Sequence, residues 1–66
     1  MNEPEVKYRS GDMVRFDFSI DRLAYGVIVY VAGDIAKIDY KNPISGEYSI
    51  ADKNVSELVK IGSQIK

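Results

Sequence analysis

Serine and acidic side chains are the residues of this sequence whose types could support catalysis. The 66-residue chain has no histidine and no cysteine, so its serines lack the base that most often activates them, and a serine–lysine pair is the arrangement left open. The carboxylates show no paired acid–base spacing, and Asp12, Asp34 and Asp52 lie in sequences typical of turns. We therefore expect a protein that is not an enzyme, with no metal site, no cofactor and no small-molecule substrate.

Length and charge narrow the class of protein further. A chain of 66 residues has room for one domain. Nine Lys and Arg balance ten Asp and Glu, and the signs alternate, so the sequence lacks the basic stripe typical of nucleic-acid binding. No apolar run approaches the ~20 residues of a membrane span, and the N-terminus does not resemble a signal peptide. We expect a cytoplasmic protein that does not bind membranes.

The stretch 25–40 is predicted to form a central β-hairpin. Gly33-Asp34 suits a two-residue type II′ turn, because its first position needs the positive φ that glycine tolerates. A regular ladder from this turn opposes Val29 to Ile38. One face is then free of charge and is predicted to face the core: Val27, Val29, Val31, Ala36, Ile38 and Tyr40. The other face is predicted to face solvent: Ile28, Tyr30, Ala32, Ile35, Lys37 and Asp39.

Three further short strands are predicted around this hairpin: Met13–Phe18, Glu47–Ala51 and Val59–Ile61. Gly26 suits a bulge or bend that lets a small sheet curl. Pairing the fourth strand with the third is expected to oppose Tyr40 to Tyr48, and Ile38 to Ile50, on the core face. Ile20 and Leu23, in the predicted connecting loop, are expected to fold over one end of the core.

A short helical or 3-10 turn is predicted before the last strand. Asn54 can cap this turn, and Glu57 lies at the spacing that lets its side chain reach back to the free amide. Val55 and Leu58 would then point to the same side and cover the open end of the sheet. The elements together predict an all-β fold: a five-stranded, strongly bent antiparallel barrel.

This pattern resembles the SH3-like barrels of the Tudor and KOW kind. The resemblance covers about residues 11–61 and is carried by turn glycines and core spacing: Gly11-Asp-Met-Val14, Gly26-Val-Ile-Val29, Gly33-Asp34-x-Ala36-x-Ile38-x-Tyr40 and Val55-x-x-Leu58. It implies an SH3-like barrel over residues 10–61. Residues 1–9 are predicted to be a flexible lead-in, and residues 62–66 a C-terminal tail.

The resemblance implies two binding modes and raises one catalytic comparison. Tudor-like barrels hold methylated cations in aromatic cages, for which this chain offers Tyr25, Tyr40 and Tyr48. KOW-like barrels imply nucleic-acid binding, the alternative function. The SH3-like type II dihydrofolate reductases begin with a motif similar to Gly11-Asp-Met-Val14, but their Val-Gln-Ile-Tyr active-site run is replaced here by Glu47-Tyr-Ser-Ile50.

The solvent face of the hairpin is the predicted contact surface. A contiguous apolar strip in register is more typical of a binding site than isolated exposed residues are, and tyrosine is enriched at interfaces. The residues predicted to make protein contact are Ile28, Tyr30, Ile35 and Lys37. We therefore expect a non-catalytic binding or adaptor module whose partner is another protein or a second copy in a homodimer.

Overall fold

The computed structural model describes residues 7–63, which form five strands and one 3-10 turn. The strands are β1 (Asp12–Ser19), β2 (Arg22–Ala32), β3 (Ile35–Lys41), β4 (Tyr48–Asn54) and β5 (Val59–Ser63), and the turn η1 spans Val55–Glu57. The predicted lead-in and tail lie outside the described residues at positions 1–6 and 64–66.

All five strands are antiparallel and form one sheet, in the order β4-β3-β2-β1-β5. The predicted all-β fold with five antiparallel strands is confirmed, as is the 3-10 turn before the last strand. Within residues 7–63, β4 and β5 do not pair with each other, so the sheet is not closed. The described residues provide no second layer over the sheet, so it must curve around its own apolar side chains to bury them.

One face of the sheet, here called the inner face, forms the core. The core residues alternate along the strands as a half-buried sheet requires, and they are Val14, Phe16, Ala24, Ile28, Ala36, Ile38 and Leu58. Tyr40 and Phe18 pack at the margin of this cluster, where the ring of Tyr40 meets that of Phe16 edge to face at 5.3 Å between centroids. The opposite, solvent-facing side is called the outer face below.

The turn of the central hairpin is confirmed, but the register that follows it was predicted wrongly. Gly33 has φ +60° and Asp34 does not have a positive φ, as a type II′ turn requires. The ladder then contains a bulge at Val29, because Ile28 pairs with Ile38 and Tyr30 with Lys37. Ile28 is consequently buried, with 1% of its surface exposed, whereas Val29 is 49% exposed.

Gly26 does not form a bulge, the first of the two alternatives predicted there, but it allows two strands to approach closely. It pairs regularly with Tyr40 on β3. A β-carbon at this position would lie 2.6 Å from the backbone oxygen of Asp39 and 2.7 Å from Cγ2 of Ile38. Only glycine fits this approach without a shift of β3.

The pairing of β3 with β4 differs by one residue from the prediction. Tyr40 lies opposite Ser49, and Ile38 lies opposite Ala51. Because a shift of one residue moves every side chain to the other face, Tyr48 and Ile50 belong to the outer face and not to the core. Their side chains are 72% and 57% exposed.

The 3-10 turn closes one end of the core in the way the sequence predicted. The amide of Ser56 donates to the side-chain oxygen of Asn54 at 3.0 Å, and the amide of Asn54 donates to the Glu57 carboxylate at 3.3 Å. Leu58 is buried behind the turn. Tyr8, from the predicted lead-in, packs against the core and donates its hydroxyl hydrogen to the Leu58 carbonyl.

Candidate functional site

The outer face carries a row of alternating aromatic and basic side chains that crosses four strands. Tyr48 on β4 lies opposite Lys41 on β3, Lys41 lies opposite Tyr25 on β2, and Tyr25 lies opposite Arg15 on β1. Neighbouring strands are about 4.8 Å apart, so Lys41 separates the backbones of the two tyrosines. Tyr25 is exposed like Tyr48.

An apolar row runs beside the first one. Val27 pairs with Met13 on one side and with Asp39 on the other, and Asp39 pairs with Ile50. Ile61, at a register shift between β5 and β1, lines the same groove as Met13 and Tyr25. Apart from Asp39, this row is hydrophobic across the sheet.

Two open grooves meet at Tyr25 and Lys41. The larger has a volume of about 490 Å³ and is walled by the loop 42–46 together with Leu23. The smaller, of about 270 Å³, lies over the apolar row and extends to Tyr48. Because both grooves are lined by Tyr25 and Lys41, they lie side by side on the outer face and are together called the recess.

The loop that walls the larger groove is held by its own hydrogen bonds. The side-chain oxygen of Asn42 accepts from the amides of Ile44 at 2.8 Å and Ser45 at 3.2 Å. The amide of Gly46 donates to the Asn42 carbonyl at 2.8 Å. This local network is an Asx-type turn, so the wall of the groove is fixed by local backbone chemistry.

The predicted contact residues do not all share one surface. Tyr30, Ile35 and Lys37 are exposed on the outer face as expected. Ile28 is a correction: the bulge at Val29 turns its side chain into the core. Ile28 therefore cannot contact a partner without unfolding of the hairpin.

The three predicted cage tyrosines are not brought together. Tyr25 and Tyr48 share the outer face, but Tyr40 lies on the inner face beside Phe16 and Phe18. In addition, Lys41 lies between Tyr25 and Tyr48 in the register. The two rings therefore belong to strands that are not neighbours, and they do not form adjacent walls of a cage.

Residues that the sequence prediction placed in the core contribute to this surface, and some loop residues were not predicted to contribute at all. Val27 was assigned to the core face because a regular β2–β3 ladder was assumed, and Tyr48 and Ile50 because the predicted register of β4 on β3 was wrong by one residue. The groove wall at Pro43 and Ile44 was predicted only as a loop. The available signal for this wall was Asn42 followed by proline and, later, Gly46, which is typical of a tight turn.

The buried charge in the described part of the chain lies away from the recess, on the inner face. The Asp12 carboxylate is fully buried, accepts from the Arg9 amide at 3.0 Å and lies 3.5 Å from the Lys60 ammonium. These contacts tie the turn before β1 to β5, which is a structural role. Among residues 7–63, no group of three or more acidic side chains is close enough to hold a metal ion.

Comparison with known proteins does not assign a family to this chain. The sequence matches no family model, and no curated protein and no solved structure has significant similarity to it. Residues 7–63 contain no helix that is long and apolar enough to cross a membrane. The function is therefore inferred from the chain's own geometry.

Proposed function

We propose that this chain is a non-catalytic binding module that uses the outer face of its sheet to contact a protein partner, either a different protein or a second copy of the chain. The observation that carries this proposal is the concentration of exposed large hydrophobic residues on that face. It holds most of those in the described chain: Met13, Leu23, Tyr25, Tyr30, Ile35, Tyr48, Ile50, Val59 and Ile61. Single exposed hydrophobic residues are ordinary, but a contiguous set marks an interaction surface.

The composition of the face supports protein as the partner. Tyrosine supplies a large apolar ring with a polar tip, and it is enriched in protein interfaces. The recess at Tyr25 and Lys41 is shallow and open, which suits a protein surface better than an enclosed small ligand. A 66-residue chain also buries only ~60% of its unfolded surface, so covering this face adds stability.

Nucleic acid is the second candidate, and the row Tyr48, Lys41, Tyr25 and Arg15 favours it. Aromatic side chains that alternate with cations can stack bases and pair with phosphates. The acidic groups on the same face, Asp39 among them, oppose a polyanion. This alternative predicts salt-dependent retention of a mixed oligonucleotide pool at low ionic strength, which the protein-contact proposal does not.

Site-specific photocrosslinking tests the proposal directly. Tyr48 is replaced by the photoactivatable p-benzoyl-L-phenylalanine in the chain's native cells, and a matched control carries the same group at Ile20. Ile20 is fully exposed in the turn between β1 and β2 and not on the outer face. It does not cover the core as the sequence had suggested, which makes it a suitable control site.

The two positions are expected to give different products. The probe at Tyr48 should yield discrete protein adducts that survive nuclease treatment, and the probe at Ile20 should not. Adducts that are removed by nuclease would favour the nucleic-acid alternative. Absence of any adduct specific to position 48 would contradict the proposed function.

A further inference from the structure

We infer that the occupant of the outer face is a second copy of this chain, packed face to face in a symmetric dimer. This inference rests on the proposed function and names its partner. In such a dimer two sheets stack about 10 Å apart, and the side chains of both outer faces interdigitate. A two-fold interface uses the same patch on both copies, so the patch must be complementary to itself.

The charges on the outer face meet this condition. The strands place three cations and three anions there, and the six residues are Arg15, Lys37, Lys41, Asp17, Asp39 and Asp52. The signs are interleaved: Lys37 lies opposite Asp52, and Asp39 lies between Lys37 and Lys41 along β3. The face is neutral as a whole, and each charged residue has an opposite charge either directly across on the next strand or two positions away along its own strand.

A neutral, mixed face selects among possible occupants. A polyanion or an anionic membrane surface gains little from a face whose acidic and basic groups cancel. A copy turned by a two-fold axis can set its anions against the cations of the first and its cations against the anions. The electrostatics therefore favour the chain itself over a partner with one dominant charge.

The size of the face sets the expected strength of such a dimer. Five strands at about 4.8 Å spacing give a width of about 24 Å, and seven residues at about 3.3 Å rise give about 23 Å. A flat face of this size would have a footprint of order 500 Å², which is below the roughly 800 Å² per partner of a standard interface, and the curvature of the sheet reduces the area in contact further. We therefore expect a dimer at the weak end of specific association.

Sedimentation equilibrium of the purified full chain tests the inference. Protein concentrations up to about 1 mM cover the dissociation constants expected of a weak dimer. The mass should rise with concentration from 7.4 kDa toward twice that value. Tyr25→Lys changes the central strand, away from both sheet edges, and Ile50→Lys changes the apolar row. Each should raise the dissociation constant by about tenfold or more, whereas the control Ile20→Lys should leave it within about twofold.

A charge variant separates self-association from nucleic-acid binding. Asp39→Lys makes the outer face carry a net positive charge, so it should weaken the dimer by like-charge repulsion. The same change would strengthen binding of an oligonucleotide. Thermal melting by circular dichroism checks that each variant remains folded, and Asp39→Lys provides an independent result if either apolar position disturbs the fold.

The outcomes distinguish this inference from the function on which it rests. A chain that stays monomeric at 1 mM, or a dimer that is indifferent to Tyr25→Lys, Ile50→Lys and Asp39→Lys, overturns the dimer. If the chain is monomeric while the probe at Tyr48 still traps a different protein, the dimer is wrong and protein contact stands. If neither assay detects a protein partner, both fail.

Discussion

Truncation of Ile28 to alanine is expected to destabilise the protein far more than truncation of its neighbour Val29. The two residues are adjacent in β2 and similar in size and chemistry. The bulge at Val29 places Ile28 opposite Ile38 in the core, where 1% of its surface is exposed, and leaves Val29 49% exposed. A regular ladder would predict the reverse order of effects.

The expected magnitudes follow from burial. Ile→Ala in a packed core costs about 2–5 kcal/mol because it removes buried methyl groups and leaves a cavity. Val29→Ala removes groups that are already half in water, so its cost should be under about 1 kcal/mol. At about 0.05–0.15 kcal/mol per residue, a 66-residue chain has roughly 3–10 kcal/mol of total stability. Ile28→Ala can therefore unfold the protein, and the milder Ile28→Val should cost about 0.5–1.5 kcal/mol.

Urea denaturation followed by circular dichroism measures all three variants, with Val29→Ala as the matched control. The expected result is a lower midpoint for both Ile28 variants, a nearly unchanged midpoint for Val29→Ala and a constant slope. A larger loss for Val29→Ala than for Ile28→Ala would refute the bulge. It would also mean that Ile28 faces solvent and that the side chains of β2 before Val29 lie on the faces opposite to those described above.

Two further predictions concern glycines that are required for different reasons. Gly26→Ala should lower the free energy of unfolding by about 1–3 kcal/mol, because the added β-carbon would overlap the backbone of β3. A melting temperature equal to that of the wild type would contradict this prediction and show that β3 can move away. Gly33→Ala should cost about 1–2 kcal/mol through its φ of +60° alone, since no atom lies within 4 Å of the added carbon. In a synthetic chain, D-alanine at position 33 should restore the wild-type melting temperature, and equal losses for both enantiomers would exclude the type II′ turn.

The features that could be predicted from the sequence are those fixed by local chemistry. Gly33-Asp34 is a turn because of the φ that its first position requires, and Asn54 caps a turn because Glu57 follows at the right spacing. The alternation of Val14 and Phe16 with charged residues also identified the inner face of β1 correctly. None of these depends on which strand lies next to which.

The features that could not be predicted depend on register over a distance. Residues 27–31 are apolar at every position, so nothing in that segment indicates which two consecutive residues share a side at the bulge. The alignment of β4 is set by the hydrogen-bonded loop 42–46 and not by hydrophobic pattern, because Tyr48 and Ile50 would suit either face. The exposure of Tyr30 and Lys37 was nevertheless foreseen, since both lie on the turn side of the bulge.

Side chains alternate between the two faces of a strand, and the additional residue at Val29 shifts this alternation by one position along β2. It allows Tyr25 and Tyr30, which are separated by an odd number of positions, to face the same way. Deletion of one residue there would turn the side chains of β2 that precede the deletion to the opposite face. Residues that are now buried would become exposed, and exposed residues would become buried. Substitutions on this surface therefore change its contacts and leave the fold intact, whereas a change in the length of β2 at this point would exchange the two faces of the strand.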